Sequence, residues 1–198
     1  MASIYDLKPR FQNLLRPLVV RLAGRGVTAN QVTVGALVLS VAAGACVLLG
    51  RGAAWSLWLL PPALLVRMGL NAIDGMLARE HAMKSDLGAM LNEMGDVISD
   101  SVMYLPLALV PGVPPAWVVL FVLVGILSEM AGVLAALVGG ERRYDGPMGK
   151  SDRALLVGTL ALLLALGLRP GVWPDILLAA GTLLGLVAIW RRLRGGLA

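Results

Sequence analysis

The chain has 198 residues, 58% of them hydrophobic, a formal charge of +5 and a mean hydropathy of +0.82. A water-soluble domain needs more polar surface than this composition supplies, so the sequence reads as an integral membrane protein. Its basic residues gather at the ends of apolar runs with no aromatic interleaving, which points to anionic lipid headgroups rather than nucleic acid, and the single cysteine, Cys46, excludes an internal disulfide.

The predicted elements begin with an N-terminal segment in which Ile4, Leu7, Phe11, Leu14, Leu15, Leu18 and Leu22 recur at helical spacing. Lys8, Arg10, Arg16 and Arg21 fall between them, the pattern of an amphipathic helix lying in the membrane interface, bent near Pro17. No cleavable signal peptide is expected, because Met1 to Asp6 leads straight into this charged segment. Residues 1–27 are therefore expected to form a juxtamembrane segment and residues 28–198 a transmembrane domain.

Thr28 and Gln31 have capping-box spacing and open the first span, Gln31 to Leu49. Five more follow, Ala54–Ala78, Asp86–Leu109, Ala116–Val138, Asp152–Leu168 and Pro174–Trp190, each near the length needed to cross a bilayer. The fold class is thus all-α, with six transmembrane helices and the interfacial helix before them. The segments before span one, around Arg79–Lys84, over Glu141–Arg153 and at Arg191–Arg194 are basic or mixed, whereas Pro111–Pro115 carries no charge. The positive-inside rule then places both termini in the cytoplasm. Trp55, Trp58, Trp117 and Trp173 fall at the outer interface, Trp190 at the inner one. Ser128, Gly132 and Ala136, and Ala154 with Gly158, form small-residue stripes that read as helix packing within one bundle rather than a dimer contact.

Against this apolar background the stretch from Asn71 to Asp100 stands out. Ionisable groups in hydrocarbon are costly, so a cluster of them marks a functional site by default. At 100° per residue Arg67, Asn71, Asp74 and Ala78 share one stripe of span two, and Gly88, Asn92, Asp96 and Asp100 share another on span three. The short turn from Glu80 to Ser85 sets the two spans antiparallel, so the stripes can face each other across a cavity open to the cytoplasm. Carboxylates and amides in such a pocket suit a hard divalent cation. Gly75, Ala78 and Gly88 leave room along its edges or simply let helices pack closely. Deeper in the bilayer, Arg67 and Glu129 are expected to pair across spans two and four, and His81 reads as a loop residue.

The spacing Asn71-x2-Asp74-Gly75-x2-Ala78-Arg79-x8-Gly88-x3-Asn92-x3-Asp96 resembles the signature of the CDP-alcohol phosphotransferase family, D-x2-D-G-x2-A-R-x8-G-x3-D-x3-D. The first and third aspartates of that pattern are Asn71 and Asn92 here. The resemblance implies a membrane enzyme of phospholipid synthesis. It would move a phosphatidyl group from CDP-diacylglycerol, or a related CDP-lipid, to a polar alcohol and release CMP. A soluble CDP-alcohol reacting with a lipid hydroxyl would use the same residues. It further implies that Asn71, Asp74, Asn92 and Asp96 hold Mg²⁺ or Mn²⁺ (one ion or two) and that Asp96 is the general base. Asp74, Gly75, Ala78, Arg79 and Gly88 would bind the CDP moiety. Lys150 and Arg153, where the fourth loop enters span five, would take the phosphate of a phosphorylated acceptor, or serve only as positive-inside anchors. A homodimer in a bacterial inner membrane, with the active site facing the cytoplasm, is expected on the same ground.

The two asparagines each keep an oxygen ligand but remove a negative charge. Glu93 and Asp100, on the flank of the Asp96 face, are candidates to compensate. The same substitutions keep open a catalytically silent relative that binds CDP-lipid or acts as an assembly subunit, and polar groups in spans alone would also suit a small transporter.

Overall fold

A computed structural model describes the backbone of residues 4–138 and 140–197, with side chains from residue 11 onward. The positions Ile4, Leu7, Lys8 and Arg10 of the first amphipathic pattern therefore lie outside the described side chains. Seven α-helices follow one another among the described residues: α1 Ile4–Gly24, α2 Ala29–Gly50, α3 Ala54–Glu80, α4 Asp86–Tyr104, α5 Pro115–Leu137, α6 Lys150–Ala165 and α7 Trp173–Gly196. A single 3₁₀ segment, Leu105–Leu109, extends α4 and accounts for the longer span expected there.

The capping box that opens α2 is formed: Thr28 Oγ1 accepts from the Gln31 amide at 3.2 Å and Gln31 Oε1 from the Thr28 amide at 3.0 Å. α1 runs unbroken through Pro17. Val19 is fully buried against Ile73, Met76 and Leu77 of α3, while Phe11, Leu14 and Leu18 leave a second apolar strip open, as an interfacial helix would. Arg16 pairs with Glu80 at 2.7 Å and fixes α1 to the end of α3.

Four helices, α2, α3, α5 and α7, are long and apolar enough to cross a membrane. α4 carries Asp86, Glu93, Asp96 and Asp100, and α6 has only 16 residues, so neither meets that description although both were expected as spans. The chain is an integral membrane protein of all-helical fold.

α2 packs along both α3 and α4. At Gly44 it approaches α4 so closely that a Cβ would overlap the Val102 carbonyl. α3 leans on α6, and α5 on α7, where Gly181 and Gly185 admit Phe121 and Val124. Ser128 and Gly132 are buried within the bundle as the packing reading expected, Gly132 beneath the Arg142–Arg143 segment, while Ala136 is exposed. The main core, including Leu57, Leu60, Met103, Leu107, Phe121 and Leu160, fills the half of the bundle away from the loops at 81–85 and 138–149. α3 and α4 make little backbone contact with each other. Held apart with α2 behind them, they form the walls of a cleft.

Candidate active site

The spacing of the motif places its polar side chains on those two walls. Asn71 Nδ2 donates to Asp96 Oδ1 at 2.9 Å across the cleft, so the stripes of α3 and α4 do face each other. Asp74 is nearly buried, 5% exposed, and accepts at 2.9 Å from Thr33 Oγ1 of α2. Asp96 also accepts from Arg67 at 3.3 Å and pairs with Lys150 at the start of α6. Asn92, one turn closer to the loops, is half-buried and makes no hydrogen bond among the described residues.

The small residues divide. At Gly75 the nearest atoms a Cβ would meet, at 3.2 Å, belong to the tip of the Arg79 side chain on the same helix. Close packing therefore does not explain Gly75, whereas open backbone beside a flexible guanidinium suits a planar ligand. At Gly88 a Cβ would stand 2.7 Å from Asn30 Oδ1, so that glycine lets the start of α4 close on α2. Ala78 is half-buried one turn beyond Asp74.

Two carboxylates and two amides form the donor set for a cation. Because Asn71 uses its nitrogen toward Asp96, its oxygen stays free to ligate, and one oxygen of Asp74 is likewise uncommitted. These are hard oxygen donors on facing walls, and they fit a divalent ion of the Mg²⁺ or Mn²⁺ kind. No three Asp, Glu, His or Cys side chains converge on a metal position among the described residues, so the amides would have to take part.

Beyond Asp96 the structure corrects one expectation. Arg67 does not pair with Glu129; it holds Asp100 at 2.5 Å and Asp96 of the same helix. The reason lies in the packing, since α3 lies against α2 and α6 while α5 packs on α7. Glu129 is met instead by Arg142 at 2.6 Å, Arg153 at 2.9 Å and Arg192 at 3.5 Å. Arg153 also pairs with Asp100 at 2.9 Å, and Arg142 forks onto Glu93 with two bonds of 2.8 Å. Burial opposes the Arg142 charge, but its hydrogen bonds to Glu93 and Glu129 prevail and hold the guanidinium above its ordinary range. The two acids expected to compensate for the asparagines are thus occupied by arginines.

Thr33, Arg142 and Arg192 escaped the sequence reading. Thr33 had a weak signal, a hydroxyl one turn after Asn30 in a largely apolar helix. A buried Glu129 demanded a cation, but only the folded loop shows that Arg142, thirteen positions on, supplies it.

The family model described as CDP-alcohol phosphatidyltransferase matches residues 26–190, the whole bundle from the cap of α2 to the last turns of α7. The chain belongs to that family. It is 44% identical over 182 residues to the Escherichia coli (strain K12) protein named inner membrane protein YnbA, covering 92% of this chain and 90% of that one. Its fold is that of Mycobacterium tuberculosis phosphatidylinositol phosphate synthase (PgsA1). The form with CDP-DAG bound superposes with a TM-score of 0.75, 19% identity and coverage of 91% and 92% of the two chains. The form in complex with manganese and citrate gives 0.76, 19%, 92% and 88%.

Proposed function

We propose that this family member is a phosphatidyltransferase that moves a phosphatidyl group from CDP-diacylglycerol to the hydroxyl of a polar alcohol, releasing CMP. One observation carries the reading. Asp74 and Asp96 stand on opposite walls of a cleft that α2 closes from behind, with Thr33 holding the first and Asn71 reaching across to the second. The family's use of CDP-alcohols and the CDP-DAG bound to the structurally similar synthase support the donor.

In this reading Asn71, Asp74, Asn92 and Asp96 hold the divalent cation, which when bound neutralises the diphosphate and improves CMP as a leaving group. Gly75 and Ala78 give the cytidine a flat backbone surface, Gly88 keeps the α2–α4 edge closed beneath it, and Arg79 lies where it can meet the phosphates. Asp96 accepts the proton of the acceptor hydroxyl as the new O–P bond forms, and the anhydride bond to CMP breaks. Arg67 and Asn71 orient the Asp96 carboxylate through one oxygen, and its second oxygen is paired with the partly exposed Lys150. Thr33 fixes Asp74 in the same way. The chain crosses the membrane six times, α4 and α6 included, with the cleft and both termini in the cytoplasm, where a water-soluble alcohol meets the lipid donor.

The test is CMP release by purified protein from labelled CDP-diacylglycerol with a panel of alcohols, with and without Mg²⁺ or Mn²⁺. The expected result is metal-dependent CMP together with a phosphodiester lipid. Asn71 and Asn92 favour a second reading, a silent CDP-lipid-binding relative. Nucleotide binding with no CMP under any condition would establish it instead.

A further inference from the structure

Next to the reacting aspartate stands a cluster of basic residues that would ordinarily announce a phosphate site. Arg142, Arg153 and Arg192 converge from the loop, α6 and α7. None of them has a free face. Arg153 is 3% exposed and spends Nε on Asp100, Nη2 on Glu129 and Nη1 on the Met148 carbonyl. Its stem lies against Gly125, where even a Cβ would come within 3.3 Å. The cavity beside it, lined by Asp100, Tyr104, Glu129 and Arg153 among others, measures about 10 Å³, at most a single water. Arg142 is forked onto Glu93 and Glu129 with the Tyr144 ring 4.3 Å from its carbon. Arg192 is 1% exposed and donates to the Ser128 and Asp145 carbonyls.

Every guanidinium on this side is therefore already engaged: Arg142 by Glu93 and Glu129, Arg153 by Asp100 and Glu129, Arg192 by Glu129, while Arg67 and Lys150 hold Asp100 and Asp96. A phosphate monoester brings about −1.5 to −2 charges at pH 7. To reach these arginines it must displace carboxylates carried on the helices, and a displaced Glu129, buried in the bundle, would then be an uncompensated charge. We infer that the acceptor is an alcohol bearing no phosphate group, and that Glu129, the hub of the arginine cluster, is the residue that enforces this choice. The inference rests on the transferase reading and specifies its acceptor.

Purified protein with CDP-diacylglycerol and Mg²⁺ is offered glycerol and inositol, each free and as its monophosphate ester, and CMP release is followed. A kcat/KM at least about tenfold higher for the free alcohol of a pair is expected, with no inhibition of that reaction by millimolar inorganic phosphate. Glu129→Gln should shift the ratio about tenfold toward the ester by freeing one guanidinium charge. Glu93→Gln, at the more exposed end of the cluster, should shift it the same way by less, and serves if the first variant does not fold. A wild-type preference for the esters, or both variants slowing free alcohol and ester alike, would overturn the inference while leaving the transferase standing. CMP release from none of the four, in a protein that turns over no other alcohol, removes the transferase and this inference together.

Discussion

The two walls of charge in this protein obey opposite rules. On the α2–α3–α4 side, Asn71 and Asn92 keep an oxygen, and Asp74 one of its two, that accepts no side-chain hydrogen bond among the described residues. On the α5–α6–α7 side, Glu129 and Arg153 are saturated by one another and by their neighbours. Spare lone pairs in a membrane are costly unless a ligand takes them, whereas a closed ion network is only architecture. Asp96 sits where the two regions meet: Asn71 reaches it from the first, Lys150 from the second, and Arg67 continues from it to Asp100. A carboxylate so placed can be held firmly and still face the reacting hydroxyl.

The comparison breaks first at Asp96. Asp96→Asn keeps the hydrogen bond to Asn71 and the shape of the cleft but cannot take up a proton. The expected loss is about 10²- to 10⁴-fold in the rate of CMP release, the usual worth of a positioned base, with a modest fall in the thermal midpoint because Lys150 loses its counter-charge while Arg67 keeps Asp100. An undiminished rate would remove Asp96 from the chemistry.

In the saturated region the large effect should fall on stability instead. Arg153→Met takes away one of the two cations at Asp100 and one of the three at Glu129, leaving Arg67 and Arg142 in place. Each hydrogen bond to a charged group is worth about 1.5–3 kcal/mol and two are lost, so unfolding of the detergent-solubilised protein should move to a clearly lower temperature. A stable variant that only loses activity would show that Arg153 belongs to the open region after all.

Thr33→Val sharpens the contrast within the first region. The substitution is close to isosteric and deletes the donor to Asp74 Oδ2. Loss of a hydrogen bond to a charged group is worth about 1.5–3 kcal/mol. If Asp74 must be held in one orientation to grip its ligand, the loss should appear as a roughly tenfold higher requirement for Mg²⁺, with smaller change in thermal stability. An unaltered metal titration would make Thr33 a packing residue.

How much of this was legible in the sequence follows from the range of each interaction. Asn71, Asp74, Asp96 and the stripes they lie on follow from 100° steps along single helices, and the short 81–85 turn dictates that the helices run antiparallel. The packing role of Gly88 and the open surface at Gly75 look alike as letters, since both are glycines at span edges. Only the position of Asn30 on another helix separates them. The Arg67–Glu129 expectation failed for the same reason: depth along a helix is readable, but which neighbour stands at that depth depends on how α6 comes between α3 and α7. The span count shows a further limit, because the carboxylates that make α4 interesting are also what lower its apolarity.

The smallest predicted effect lies outside both regions, at the start of α2. Thr28→Ala removes the side-chain acceptor for the Gln31 amide but leaves the helix its other bonds. Loss of such a cap costs about 1 kcal/mol. Since α2 is the back wall of the cleft, two outcomes are distinguishable. If the wall is held by its packing on α3 and α4, as the close approach at Gly44 implies, the thermal midpoint drops slightly while CMP release and the Mg²⁺ requirement stay as they were. If instead the first turn of α2 sets the position of Thr33, five residues on, the metal requirement should rise with the Thr28 change as it does with Thr33→Val. Measuring both variants side by side assigns the support of Asp74 either to helix packing or to the cap.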